Sequence, residues 1–293
     1  MAAASGASRT RAFAVLACCY ATALAVAVFG ALPLSGRHPL WVAAAADALA
    51  TVVVFGWSRA FDNSSLYDPY WSVAPPFLLA YFTSTGAIPV GAPRLWLGSA
   101  VVSAWAVRLT VNCLRRWEGF GHEDFRYVDL RQKHGRLYWG VSFLGIHLFP
   151  TVLVFLGSVP LFWVGTSSVA PSVLDFAGAA VAFFATWVEA RADAELRRFV
   201  TSPREPGAIL SSGLWKNSRH PNYFGEIAFW WGVWLLGLGA GAPAWSVAGA
   251  VAITLLFVFV SVPMMDARML ARRPAFAEHA RRTNAILPWP PKR

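Results

Sequence analysis

Six polar or ionisable side chains crowd into nine residues at the mouth of an apolar run, Ser218-Arg219-His220-Pro221-Asn222-Tyr223-Phe224-Gly225-Glu226. Arg219 and His220 can donate to phosphate or carboxamide oxygens. Asn222 can donate and accept, and Tyr223 offers a phenol for proton transfer. Glu226 stands where an apolar helix begins, and Trp215 lies just upstream. The plainer alternative is anchoring, with arginine snorkelling, Trp and Tyr at the interface and Glu226 favouring a helix N-terminus. The density of polar groups at membrane depth points to a site, because charged side chains there usually face a cavity.

Two further stretches carry ionisable groups. Between Arg108 and Arg136 lie seven basic residues, with Glu118, Glu123, Asp124 and Asp129 among them. As a solvated loop this cluster would orient the chain in a membrane; as a functional element Glu123, Asp124, Arg126 and Tyr127 would form a lid or an adenine-side contact. Asp68, in Leu66-Tyr67-Asp68-Pro69-Tyr70-Trp71-Ser72, is either a turn residue before Pro69 or a carboxyl that orients or protonates a substrate carbonyl. His122 and His134 lack metal-ligand spacing, so no metal is expected. No Gly-x-Gly-x-x-Gly fingerprint occurs, which excludes a soluble-type dinucleotide turn.

These residues need elements to hold them, and the composition says which. With 57% hydrophobic and 14% charged residues the chain is too apolar for an ordinary soluble domain. Apolar stretches recur along its length, near 12–34, 40–58, 73–91, 93–112, 139–165, 170–188, 226–242 and 244–263. The expected fold is therefore all-α, a polytopic transmembrane bundle of about eight spans with its cofactor-side loops in the cytosol. The 226–242 segment is short and could begin inside the protein. The run from Ala12 to Leu34 exceeds a signal-peptide core and reads as a retained helix.

The net charge of +10 could suggest nucleic acid, but the basic residues lie between apolar spans and leave no separate basic module. On the eight-span reading 23 of the 25 Lys and Arg fall on one side, with only Arg37 and Arg94 on the other. Short cytosolic loops carry that excess, so both termini are expected in the cytosol. The membrane would be endoplasmic reticulum or another endomembrane in a eukaryote, and the inner membrane in a bacterium. Cys18 and Cys19 inside the first span and Cys113 past the fourth build neither a disulfide framework nor a zinc site.

Ser218 to Glu226 resembles the C-terminal signature of the steroid 5-alpha-reductase family, and especially its uncharacterised branch. The pattern is similar to sterol reductases and, as Arg-His-Pro-x-Tyr, to isoprenylcysteine carboxyl methyltransferases. Glu118 to Tyr127 resembles the Glu-Asp-x-Arg-Tyr element of that branch, Leu66 to Ser72 its early Asp-x-x-Trp element, and the tail from Pro263 to Pro288 also fits. The resemblance implies N-terminal membrane helices over 1–60 and a reductase-like membrane domain over 61–293, with its cofactor region at 189–293.

It further implies an NADPH-dependent reductase that gives hydride to an electron-poor carbon–carbon double bond of a lipophilic substrate taken from the bilayer, among membrane lipids. Asn222 matches the asparagine beside the nicotinamide carboxamide and Glu226 the acid after it, with Tyr223 as a further catalytic candidate. Arg108 matches a cofactor-facing arginine, Asp193 and Arg197 the residues for the adenosine and phosphate portion, and Arg219, His220 and Trp215 complete the binding set. Asp68 falls near a catalytic glutamate. The chain departs from the steroid reductases at Pro206–Leu210, where they carry a Tyr-Arg pair, and at Trp105, where they carry a tyrosine for the substrate ketone. Two alternatives stay open: an S-adenosylmethionine-dependent methyltransferase of a lipophilic acceptor, and a non-catalytic membrane protein that keeps the fold.

Overall fold

The computed structural model describes residues 2–86 and 92–292. Among them there is no strand. The helices are α1 (Ala2–Ala31), α2 (Pro39–Ala60), α3 (Tyr70–Thr85), α4 (Pro93–Arg116), α5 (Phe125–Ser158), α6 (Pro160–Thr166), α7 (Val173–Thr201), α8 (Pro221–Gly239), α9 (Ala244–Arg272) and α10 (Phe276–Arg282). The chain is thus an all-helical, multi-pass membrane protein, and six helices are long and apolar enough to cross: α1 continued to Leu34, α2, α4, α5, α7 and α9.

The spans expected at 73–91 and 226–242 are not among the six. The first yields the 16-residue α3, about 24 Å at 1.5 Å per residue, and its expected end at 87–91 lies outside the described residues. The second yields the 19-residue α8, whose apolarity is diluted by Pro221, Asn222, Glu226 and four glycines.

The chain forms two compact units. One comprises Met1–Pro89 and Leu109–Ser168, the other Val90–Arg108 and Val169–Arg293. In the first, α2 ends at Phe61, and Asp62 takes φ 49° before a 3-10 turn at Ser64–Tyr67. Asn63 caps that turn by accepting from Ser65 N at 2.9 Å. The helices of this unit bury polar groups, and burial without a partner is costly. Tyr70 donates to Asp47 at 2.5 Å, Thr51 and Tyr67 meet Thr151 at 2.9 and 2.8 Å, and His147 meets Ser58 at 3.0 Å from a π-helical stretch, Ser142–Leu148.

In the second unit α7 opens with a capping box between Ser172 and Asp175. Asp175 is fully buried and also receives the Arg94 guanidinium at 2.6 Å. Further donors of Arg94 reach the carbonyls of Val169, Ala170 and Gly239. One of the two cations expected opposite the cytosol is therefore spent inside the protein.

Small residues let α7 and α8 pack backbone to backbone. A Cβ on Gly232 would stand 2.7 Å from Ala182 N and 2.8 Å from Gly178 O, and one on Gly225 would overlap Glu189 Cγ. Close approach of this kind sets the acids of α7 beside Glu226 of α8.

Candidate functional site

Glu226 lies on the first turns of α8, 5% exposed. Trp105 of α4 donates its indole N–H to Oε2 at 3.1 Å, and Trp230 donates to Oε1 at 2.8 Å. Trp105 is fully buried, stacked on Phe229 with centroids 4.5 Å apart. Two aromatic donors thus hold the carboxylate in place.

One turn along α4 from Trp105, Arg108 pairs with Glu189 through Nη2 and with Asp193 through Nη1, the latter at 2.8 Å. Glu189 is 1% exposed; its Oε1 has no N–H donor, and its carboxyl lies against that of Glu226. Arg108 Nε and Asn222 Oδ1 are likewise buried without partners. Unpaired buried polar atoms are uncommon in folded proteins and call for an explanation such as a bound group.

The Ser218-Arg219-His220 segment does something else. Arg219 donates to Asp266 at 2.6 Å and to the carbonyls of Ala280 and Thr283. His220 Nε2 meets the other Asp266 oxygen at 2.9 Å. The backbone N–H groups of Arg219 and His220 donate to Asn284 and Ala285 carbonyls, Ser218 Oγ donates to Ile286 O, and Trp289 N donates to Asn217 O. The motif therefore clamps the C-terminal tail. Tyr223 stacks on His220 at 5.0 Å and leans on Phe257.

Of the other expected residues, Trp215 donates to Ala192 O at 3.1 Å and Leu214 N to Glu195 at 2.9 Å, which fixes the loop before the motif against α7. Arg197 is exposed on α7, and its carbonyl accepts from Thr201. Asp68 belongs to the first unit. There Tyr127 donates its phenol to Asp68 at 2.5 Å. Desolvation raises the Asp68 carboxyl to about 6, against the lowering effects of Arg126 and Tyr127.

The Glu118–Tyr127 element braces the Asp68 loop. Glu123 accepts from Ser64 N at 2.7 Å, and Asn63 donates to the carbonyls of Phe120 and His122. Asp124 caps α5, and although burial works against it the hydrogen bond and charge of Arg126 hold it below the usual carboxylate range. So Asp68 and Tyr127 come together, as do Arg108, Asp193 and Glu226 with Asn222 on the turn before it, while Arg219 and His220 face the tail.

Sequence reasoning passed over Glu189 and Asp266. Each had a signal, since Glu189 is the first acid after Asp175 in an apolar run and Asp266 is the sole acid of α9. A solitary carboxyl inside a membrane helix implies a partner or a site. No group of His, Cys, Asp and Glu among the described residues could hold a metal ion.

Comparison with known proteins adds a family. A profile described as "Protein of unknown function (DUF1295)" matches residues 54–283. A protein of Schizosaccharomyces pombe described as uncharacterised is 25% identical over 209 residues, 63% of this chain and 60% of the relative, so the chain spans about three fifths of that relative's length. No solved structure matches.

Proposed function

The chain belongs to the DUF1295 family, and on its site we propose that it is a membrane-embedded NADPH-dependent reductase of a carbon–carbon double bond in a lipophilic substrate. The observation that carries this reading is Asn222 Oδ1, buried without a donor on the turn of α8 before Glu226. A carboxamide N–H satisfies such an acceptor. The resemblance of residues 218–226 to the steroid 5-alpha-reductase signature assigns Asn222 that same contact.

When bound, NADPH supplies the hydride. The protein's part is to bind, orient and manage protons. Asn222 holds the carboxamide, and Glu226, fixed by two indoles, gives that end of the site a negative potential. Beside it Arg108 pairs with Glu189 and Asp193. Within the first unit Tyr127 donates to Asp68, whose carboxyl is raised to about 6 by burial. Arg219 and His220 act by positioning Asn222 and Tyr223 through the tail clamp, since their donors are already committed.

The test is binding to the detergent-purified full chain, read by quenching of the tryptophans near the motif. NADPH should quench, and Asn222→Ala should weaken binding by the 1–3 kcal/mol typical of a buried polar group left unpaired, about 5- to 150-fold. Quenching by S-adenosylmethionine without any by NADPH would move the assignment to a methyltransferase. Binding of neither would favour a non-catalytic protein.

We also propose that α3 and α8 cross the bilayer despite their length, giving eight spans with both termini cytosolic. If only the six longer helices crossed, the Arg108–Arg136 and Arg191–Arg219 loops would lie opposite the C-terminal tail, and the 25 basic residues would divide 14 to 11. Eight crossings give 23 to 2, the asymmetry that positive-inside topology demands. Reporter fusions at 125 and 205 should then read the cytosol. A fusion at 293 that reads the side opposite to 125 and 205 would refute the eight-span reading.

A further inference from the structure

Asp266 is the sole acid of α9 and has no part in the chemistry proposed above. Both of its oxygens are spent on two adjacent residues: Oδ1 meets His220 Nε2 at 2.9 Å and Oδ2 meets Arg219 Nη2 at 2.6 Å. His220 directly precedes α8, and its side chain caps no helix N–H. Instead the ring is held on two sides. Its edge lies on Asp266, and its face stacks on Tyr223 with centroids 5.0 Å apart and planes 9° from parallel. Tyr223 in turn leans on Phe257 of α9 at 4.7 Å. The His220 carbonyl accepts from the N–H groups of Tyr223 and Phe224 at 3.0 and 3.1 Å, so the residue whose ring Asp266 grips also closes the turn that carries Asn222.

A carboxylate only accepts, whereas a neutral imidazole carries its hydrogen on one nitrogen alone. Facing Asp266, that nitrogen must be Nε2. A ring with hydrogen on Nδ1 only would set a lone pair against the carboxylate at hydrogen-bond distance, and which nitrogen is protonated follows from the partner the ring meets. We propose that Asp266 is a positioning residue acting through His220: its carboxylate fixes the imidazole with hydrogen on Nε2, and so holds the His220–Tyr223 stack and the turn that presents Asn222. The effect on cofactor binding rests on the NADPH reading, whereas the tautomer does not.

The experiment is nitrogen NMR of the detergent-purified full chain, isotopically labelled at its histidines and assigned with His220→Gln, together with NADPH dissociation constants and thermal unfolding of the same proteins. Wild-type His220 should carry hydrogen on Nε2. In Asp266→Asn one oxygen must serve either Arg219 or His220, and the charged guanidinium takes it. His220 then faces the amide NH2, so its hydrogen should move to Nδ1, and NADPH affinity should fall by about tenfold, the size of effect seen for hydrogen-bond partners that orient a binding group. Adding Arg219→Met frees that oxygen for His220. The double variant should regain hydrogen on Nε2 and recover at least about threefold of the lost affinity, although it has lost a further tie to the tail. A purely structural Asp266 requires the reverse, with the double variant weaker than the single in binding as well as in unfolding. A wild-type His220 without hydrogen on Nε2, which is read even if neither variant folds, overturns the proposal, as does a double variant that binds no better than Asp266→Asn. Failure of the wild type to bind NADPH overturns the reductase reading instead, and the tautomer shifts then decide whether Asp266 fixes the ring.

Discussion

The most exacting test of the site's construction is Glu226→Gln, which keeps shape and volume while changing the hydrogen-bond inventory. In the wild type one carboxylate accepts two indole N–H groups, at 3.1 Å from Trp105 and 2.8 Å from Trp230. An amide has one oxygen, so one indole must face an NH2 group inside a pocket that excludes water. A buried donor left unpaired costs about 1–3 kcal/mol, and downgrading the remaining bond from charged to neutral acceptor removes about 1 kcal/mol more. The expected loss is roughly 2–4 kcal/mol. Trp105→Phe removes one of the competing donors, so in the double variant the amide oxygen serves Trp230 alone. The double variant should then be less destabilised than the sum of the singles by about 1 kcal/mol or more. Reversible unfolding of the four proteins in one detergent measures this cycle. A Glu226→Gln loss below about 0.5 kcal/mol, or additivity within that margin, would show that the two indoles do not hold the carboxylate as described.

Three further outcomes follow from the geometry. Asp68 is raised to about 6 by desolvation, so its contribution to stability is full below the unfolded value near 4 and is lost as pH rises through about 6, a change of roughly 3 kcal/mol. Asp68→Asn should flatten the pH dependence of the unfolding midpoint between pH 4 and 7, and an unaltered slope would count against the buried Asp68–Tyr127 pair. Arg94→Met should cost about 3–5 kcal/mol, because it strands the buried Asp175 carboxylate and frees three carbonyls; a near-neutral effect on thermal unfolding would contradict that lock. Gly232→Ala must push α8 away from the Ala182 and Gly178 backbone, so a loss of about 1–3 kcal/mol is expected in the same assay, and wild-type stability would mean the helices do not pack so closely.

Much of the architecture was legible because it follows from one-dimensional rules. Long apolar runs had to become helices, and those around 12–34, 40–58, 93–112, 170–188 and 244–263 each fall largely in a helix able to cross a membrane, whereas the run at 139–165 is divided between α5, which ends at Ser158, and α6. The other two runs are α3, a continuous 16-residue helix through Pro75 and Pro76 whose expected end lies outside the described residues, and α8, diluted by Asn222, Glu226 and glycine. At the motif the sequence showed which residues are polar but not how their valences are spent. Arg219 and His220 look like ligand donors until Asp266 and the tail carbonyls, 46 or more residues away in sequence, take them.

The same logic reinterprets Trp105. Judged by residue type alone, the loss of a phenol at that position argues against chemistry. Judged by what it touches, the indole is one of two donors that fix Glu226. An indole only donates, so it can hold an acceptor but cannot deliver a proton to a carbonyl. What identifies the site is thus the pattern of spent and unspent hydrogen-bonding capacity. Asp47, Asp175 and Asp266 are each satisfied by a partner distant in sequence, whereas Arg108, Glu189 and Asn222 supply three of the six buried side-chain atoms without a hydrogen-bond partner among the described residues.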